Sequence, residues 1–437
     1  MPHGHALSCI TSEHGMLRNR FLPLLILPIV LAGCASTLPH NLTGREPSIR
    51  VCVAKRSAEL TLHISDGAVL QSVSRRFRLD GHSSLKCVLL EDGSIDVLMD
   101  GRKARTISGA FRCFYRQPGS VFGFEDASYT DTMLVASDGE GLYLVNILPL
   151  EDYLKNVVPN EIGRNRKDNE FEAVKAQAIL ARTYALGKIT LPLARLFDVH
   201  ADHRDQVFSG VGGRDAFSTR AVEATRGVAL SFNGQLAECY YHSTCGGRTE
   251  ASSLIWKRPQ SKPYLAGVSD RGRAGDFCRI APSYRWSEQY GREELEHMLR
   301  TFMPAANDAI RPEDLPDRDW HLLDMNIIKR MPSGRVSIMQ IVMGNRARQR
   351  AYYLHGDNIR RALRRHGNER PLRSALFDIH IDRDRNRWIT RVRIDGGGAG
   401  HGVGMCQWGA IGRARAGGDA GDILSAYFPG TASKTLY

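Results

Sequence analysis

Over the first part of the chain apolar and polar residues alternate in short runs, as in Ile49-Arg50-Val51-Cys52-Val53, Leu60-Thr61-Leu62-His63-Ile64 and Ile95-Asp96-Val97-Leu98. A period of two is the mark of strands with one buried face. The runs are broken at Asp66-Gly67, Asp80-Gly81 and Asp92-Gly93, pairs that supply the positive φ of hairpin turns, so residues 49–125 read as a small β-rich domain. Beyond residue 126 the pattern changes. A strand at Gly141-Leu142-Tyr143-Leu144-Val145-Asn146-Ile147 leads through Pro149 into a helix carrying Leu150, Tyr153, Leu154 and Val157. Then Phe171, Val174, Ala178, Ala181 and Ala185 recur at helical spacing. Asp168 or Asn169, with Glu172, caps that helix, which is predicted to run to about Gly187, and its alanines let another backbone pack closely. With a strand over Trp388 to Ile394 and a helix from about Trp408, the fold class is α+β, mixed helices and antiparallel sheets. No repeat of fixed period and no low-complexity block interrupts it.

The N-terminal pattern is of another kind. After Met16 the chain reads Leu-Arg-Asn-Arg, then an apolar run from Phe21 to Leu31, then Leu31-Ala32-Gly33-Cys34. A basic start, an apolar core too short to span a bilayer and small residues before a cysteine make residues 1–34 a lipoprotein signal peptide, with Cys34 the lipidated residue. Residues 35–48, polar and holding Pro39 and Pro47, read as a tether, leaving residues 126–437 as the main core. By analogy, Ala35 and Ser36 behind the cysteine point to the outer membrane, facing the periplasm. The chain is thus expected in the cell envelope, anchored to the membrane by lipid.

Charge and cysteine content add two constraints. The formal net charge is +12, and much of the excess lies in Arg346, Arg348, Arg350, Arg360, Arg361, Arg364, Arg365, Arg370 and Arg373. Such a run is usually a solvated face; its functional counterpart is attraction to carboxylate-bearing cell-wall stems or anionic lipid, and the export signal disfavours nucleic acid. Beyond Cys9 and Cys34 the chain carries Cys52, Cys87, Cys113, Cys239, Cys245, Cys278 and Cys406. In an oxidising compartment most should pair, and the odd number leaves one over.

The densest chemistry lies in Gly396 to Ala410, Gly-Gly-Gly-Ala-Gly-His-Gly-Val-Gly-Met-Cys-Gln-Trp-Gly-Ala. Its glycines allow positive φ and close approach of backbone to a ligand, while His401, Gln407 and Trp408 supply a titratable ring, an amide and a stacking face. A dinucleotide-binding reading fails because too little chain follows to complete the βαβαβ unit, and no phosphate-loop Gly-Lys-Ser/Thr is present. A metallopeptidase His-Glu-x-x-His is also missing. This string resembles the C-terminal motif of the SpoIID/LytB family, the stage II sporulation protein D and amidase-enhancer proteins that act on peptidoglycan. Three further blocks match in order: Leu150 to Ile162 (LEDYLKNVVPNEI), Glu172 to Ala185 (EAVKAQAILARTYA) and Tyr240 to Glu250 (YYHSTCGGRTE).

The resemblance implies a SpoIID-like core and assigns roles. Glu161, in the Val-Val-Pro-x-Glu context and expected in a turn framed by apolar neighbours, matches the catalytic glutamate; desolvation there raises a carboxyl pKa toward that of a general acid. The implied reaction is lytic transglycosylation of the MurNAc-GlcNAc β-1,4 bond with 1,6-anhydro-MurNAc formation, with denuded glycan strands as the substrate the resemblance suggests. Asp202, Asp205 and Glu238 are the candidate second carboxylates of a hydrolytic variant. Substrate binding falls to Arg182, Tyr184, Gln206, His242, Ser243, His401, Gln407 and Trp408, and Cys245 with Cys278 is the implied disulfide. The alternative is a non-catalytic peptidoglycan-binding enhancer of an N-acetylmuramoyl-L-alanine amidase, with cell-wall amidases as partners. No cofactor is expected. Zinc, which some relatives take through a histidine and cysteines after the Ala-rich helix, would here rely on His200, His203 and Asp205, because Phe197 to Phe208 holds no cysteine; Cys239-x-x-His242-x-x-Cys245 is not an established finger spacing.

Overall fold

The computed structural model describes residues 44–437 except 74, 118, 190–194, 257–260, 308–309, 312–314, 316–318 and 346. The expected signal peptide, Cys34 and most of the expected tether lie outside the described residues. No helix among those described is long and apolar enough to cross a membrane.

The alternating runs form two sheets, antiparallel except for one strand pair. One is six-stranded, in the order Ala127–Tyr129, Phe122–Phe124, Glu59–His63, Ser84–Leu89, Ile95–Met99, Arg102–Ile107. The other is seven-stranded, and Ser48–Ser57 pairs within it antiparallel to Leu142–Pro149 and parallel to Val199–His200. The turns at Asp66-Gly67, Asp80-Gly81 and Asp92-Gly93 fall between strands, each glycine at positive φ. The seven-stranded sheet crosses the boundary expected at residue 125, and one apolar cluster runs from Ile49 through Tyr153 and Leu180 to Phe428. The β-rich segment and the helices therefore bury their apolar faces against each other.

Leu148 and Pro149 lead into the helix Leu150–Ile162, which continues through Pro159. Proline removes one helical hydrogen bond; burial of Tyr153, Leu154, Val157, Val158 and Ile162 offsets the loss. The Pro159 carbonyl still accepts from Gly163 N at 3.1 Å, and Gly163, at φ 94°, ends the helix. Glu161 is thus in the last helical turn rather than in the turn expected from sequence. The Ala-rich helix is Phe171–Lys188, entered from a short 3-10 turn at Asp168–Glu170 without a side-chain cap. Neither Asp168 nor Asn169 caps it. Instead Glu170 is buried and bound by Arg415.

A second apolar cluster belongs to a separate lobe. Its two three-stranded sheets are Trp286–Gly291, Ile389–Gly396, Phe377–Arg383 and His321–Arg330, Val336–Gly344, Gln349–His355, with the helices Arg292–Ala306 and Asn358–Ala362. The chain then returns through the glycine-rich run to Met405–Cys406, which pairs in parallel with Tyr241–His242 and opens the helix Gln407–Arg415. The return is tight. At Gly404 (φ 70°) a Cβ would stand 2.1 Å from the Tyr240 carbonyl oxygen, so only glycine fits without displacing backbone.

Candidate active site

Glu161 occupies the C-terminal turn of its helix, where the unpaired carbonyls present partial negative charge that disfavours a carboxylate. Its half-buried carboxyl is raised above the ordinary range, first by desolvation, while the hydrogen bond from Val207 N to Oε1 at 2.9 Å works in the opposite direction. Asp205 goes the other way. Burial would raise it, but the His200 N–H (2.9 Å), the Lys188 ammonium (2.9 Å) and the Tyr184 hydroxyl (2.7 Å) together hold it below the ordinary range. The negative charge of Glu161 is felt by Tyr153, Tyr184 and Tyr241, whose hydroxyls are raised first by burial and then by that charge among others. Two carboxyl groups thus flank one set of tyrosines with their proton affinities pushed apart, the arrangement that lets one serve as an acid while the other stays ionised.

Beside them opens a cavity of about 780 Å³. One wall is Tyr184, Asp205, Tyr240, Tyr241, Trp256 and His401; the other, contributed by the second lobe, is Asp357, Arg360, Arg361 and Arg364. Tyr240 and Trp256 rings stand 4.5 Å apart and Trp256 and His401 rings 5.2 Å apart, giving apolar ring surface next to guanidinium donors. Such a mixture suits a ligand with both apolar faces and carboxylate or hydroxyl groups. Glu161 is not among the lining residues, whereas Tyr184 and Tyr241, whose hydroxyls feel its charge, are. His401 is neutral, its pKa pushed down to about 4 chiefly by burial, and its Nδ1 accepts from Val403 N at 3.0 Å.

Of the eight residues expected to hold substrate, Tyr184 and His401 line this cavity. The other six do not. Arg182 is fully buried and makes a bidentate pair with Glu151, both contacts at 2.7 Å, with further bonds to the Val222 and Val228 carbonyls. Burial by itself would raise the Glu151 carboxyl, but the guanidinium prevails and holds it below the usual range. The motif arginine is therefore a core ion pair rather than a substrate contact. Gln206 is also fully buried, accepting from the Tyr153 hydroxyl at 3.1 Å and joined to the Tyr241 hydroxyl at 2.9 Å, so it positions two tyrosines. Gln407 is spent on Gln177 at 3.2 Å. Trp408 carries the Arg166 guanidinium over its ring, 5.2 Å from the ring centroid. His242 is buried, its Nδ1 3.1 Å from the Val403 carbonyl, and Ser243 supplies the carbonyl that receives Trp408 N at 3.1 Å.

Among the described residues the His200, His203 and Asp205 ligand atoms do not converge on one point as a metal group would, and Asp205 is taken up by Tyr184, the His200 N–H and Lys188. Asp202 is likewise paired with Arg204 at 2.7 Å. Nor does the Cys239-x-x-His242-x-x-Cys245 inventory converge: the Cys239 thiol turns to the Ala237 carbonyl at 3.6 Å. Cys245 and Cys278, the implied disulfide partners, do meet, their Sγ atoms 3.6 Å apart. Sequence reasoning did not single out Trp256, Asp357 or the role of Arg360 and Arg361 as a cavity wall. The arginine run was visible; what it faces was not.

A family model described as stage II sporulation protein matches residues 138–232, which hold Glu161, the Ala-rich helix and Asp205. A second model, for a domain of unknown function, matches residues 275–404, the lobe that supplies the arginine wall. An uncharacterized protein of Brachyspira hyodysenteriae is 30% identical over 305 residues, 69% of this chain and 68% of that protein. The amidase enhancer of Bacillus subtilis is 28% identical over 307 residues, 64% of this chain and 40% of that protein. Stage II sporulation protein D of the same organism is 26% identical over 302 residues, covering 66% and 75%. The motifs, the α+β architecture and these relatives agree that the chain belongs to the SpoIID/LytB family.

Proposed function

We propose that the protein is a peptidoglycan lytic transglycosylase in which Glu161 is both acid and base. The observation that carries this reading is the contrast between Glu161, raised by its apolar helix end, and Asp205, held ionised, across shared tyrosines at the edge of a ring-walled cavity. Protonated Glu161 gives its proton to the leaving glycosidic oxygen as the bond to the muramoyl C1 breaks. The resulting carboxylate then takes the proton of the muramoyl C6 hydroxyl, whose oxygen bonds to C1 and closes the 1,6-anhydro ring; no water is consumed. Tyr184, tied to Asp205 at 2.7 Å, orients the site, and the ionised Asp205 favours positive charge developing at C1. Arg360 and Arg361 offer charge to the lactyl or stem carboxylates of a glycan strand. The Leu31-Ala32-Gly33-Cys34 box supports a lipid anchor holding this site in the envelope, facing the wall.

Muropeptide mass spectrometry of denuded and intact sacculi tests the reaction. Wild-type digests should contain 1,6-anhydro ends, and Glu161→Gln should slow their release by about 10²–10⁴-fold while still binding sacculi. Reducing muramic ends would convict a hydrolase instead. The likeness to an amidase enhancer favours a second reading, binding of glycan and stimulation of a separate amidase. Absence of 1,6-anhydro release by the wild type, with amidase stimulation intact, would establish that reading and dismiss the first; equal activity of the Glu161→Gln variant would make Glu161 a bystander.

A further inference from the structure

Three cysteines and an aspartate from four separate segments meet in the interior, at a place the proposed glycan chemistry does not use. Cys245 follows the strand Tyr241–His242, Asp270 precedes a short hairpin, Cys278 lies in the 3-10 turn Phe277–Ile280, and Cys406 caps the helix Gln407–Arg415. All four are fully buried, and one ligand atom from each lies within 4.8 Å of every other. We propose that Cys245, Asp270, Cys278 and Cys406 form a closed, four-coordinate site for zinc that ties the second lobe's entry and exit to the core.

Each donor is of a kind zinc takes, three soft sulfurs and one carboxylate oxygen, and four protein ligands leave no open position, as in a structural site. Its scale fits. At a zinc–sulfur length of about 2.3 Å a tetrahedron places its sulfurs about 3.8 Å apart, and Cys245 Sγ and Cys278 Sγ are 3.6 Å apart. The surroundings are those of ligating rather than idle groups. Gly409 N and Cys245 N donate to Cys406 Sγ at 3.2 and 3.1 Å, and Gly247 N to Cys245 Sγ at 3.4 Å, so backbone dipoles face the sulfurs where thiolate charge would reside. Asp270 is oriented by Tyr427, whose hydroxyl donates to Oδ1, and by Cys278 N, which donates to Oδ2 at 2.9 Å. The helix N-terminus at Cys406 and Arg413, 3.7 Å from Asp270, offset part of the net negative charge of such a complex.

A disulfide fits less well. Joining Cys245 to Cys278 uses two of the four groups and leaves the convergence of the Cys406 thiol and the Asp270 carboxyl on the same point without a purpose. A single divalent cation engages all four. The consequence for the fold is direct, because Cys406 is hydrogen-bond neighbour to the turn that sets Tyr241, His242 and His401 in place.

The test uses the full chain, purified from zinc-supplemented culture without chelator. Elemental analysis should find about one zinc per chain. Cys278→Ser and Cys406→Ser should each lower this to about one-tenth or less, whereas Cys239→Ser, a buried thiol outside the cluster, should leave it at about one. Since serine in a core can impair folding, wild-type protein is also stripped and reloaded with Co²⁺ alone, and should show the sulfur-to-cobalt charge transfer and tetrahedral d–d bands of thiolate ligation. Wild-type chain without zinc, whether its cysteines are free or a Cys245–Cys278 disulfide is found by non-reducing peptide mapping, overturns the proposal. So does zinc retained in both serine variants, or a cobalt spectrum without sulfur bands. None of these readings depends on glycan cleavage, so the failure of one proposal is distinguishable from that of the other.

Discussion

The helical core and the second lobe treat charge in opposite ways. In the core, the motif residues Arg182 and Glu151 are paired with each other inside the protein. In the lobe, Arg360 and Arg361 share the single carboxylate of Asp357, at 3.2 and 3.7 Å, and turn their remaining capacity to the cavity. A buried pair has its donors saturated and can only hold the fold, whereas a partly neutralised arginine at a cavity wall retains charge for a ligand. The lesson is that membership of a family motif does not make a charged residue a ligand contact; what its partners leave unsatisfied does.

Breaking the core pair should have the largest effect on stability. Arg182→Met leaves Glu151 buried without its cation and should cost about 3–5 kcal/mol, read as a lowered denaturation midpoint at unchanged slope. A loss below about 1 kcal/mol would mean that the pair is not the buried anchor described here. Next comes the joint between the two regions. Gly404→Ala places a Cβ against the Tyr240 carbonyl at φ 70°, and should destabilise by more than about 1 kcal/mol, measured the same way; a neutral result would show that the return strand has room to shift.

The pH dependence of Glu161 offers a finer test. Because its carboxyl is raised in the folded protein, the unfolded chain gives up this proton first. The group's contribution is complete below the unfolded carboxyl value of about 4.3 and is lost as pH rises through the higher folded value. Glu161→Gln should therefore match wild type in acid and exceed it in thermal stability at neutral pH, by about 1.4 kcal/mol for each tenfold change in proton affinity. Equal stability at all pH would remove the evidence for a perturbed acid. Smallest should be Arg361→Ala, on the open wall: within about 0.5 kcal/mol in stability, yet with weaker retention on sacculi at low salt that disappears as salt is raised. A salt-independent loss would argue that this arginine packs rather than attracts.

Much of the local structure was legible from residues alone. Period-two runs and Asp-Gly pairs marked the hairpins because alternation and positive φ are properties of a few adjacent residues. The same holds for the helix Phe171–Lys188, whose apolar spacing is visible without any partner. Glu161 was identified through its motif, but its setting was misjudged, because Pro159 reads as a helix end, and tertiary burial of the flanking apolar residues carries the helix past it.

What the linear chain left undecided was which polar groups would face each other. Arg182 and Glu151 are 31 positions apart, Gln177 and Gln407 230, and Cys245 and Cys406 161. Closing such loops depends on how whole elements pack, since no local preference links residues so far apart. Periodicity and turn chemistry therefore determined the elements and the family motifs, whereas the burial of Arg182, the arginine wall of the cavity and the meeting of three thiols with Asp270 were decided only when two cores were brought together by a glycine run that no side chain could replace.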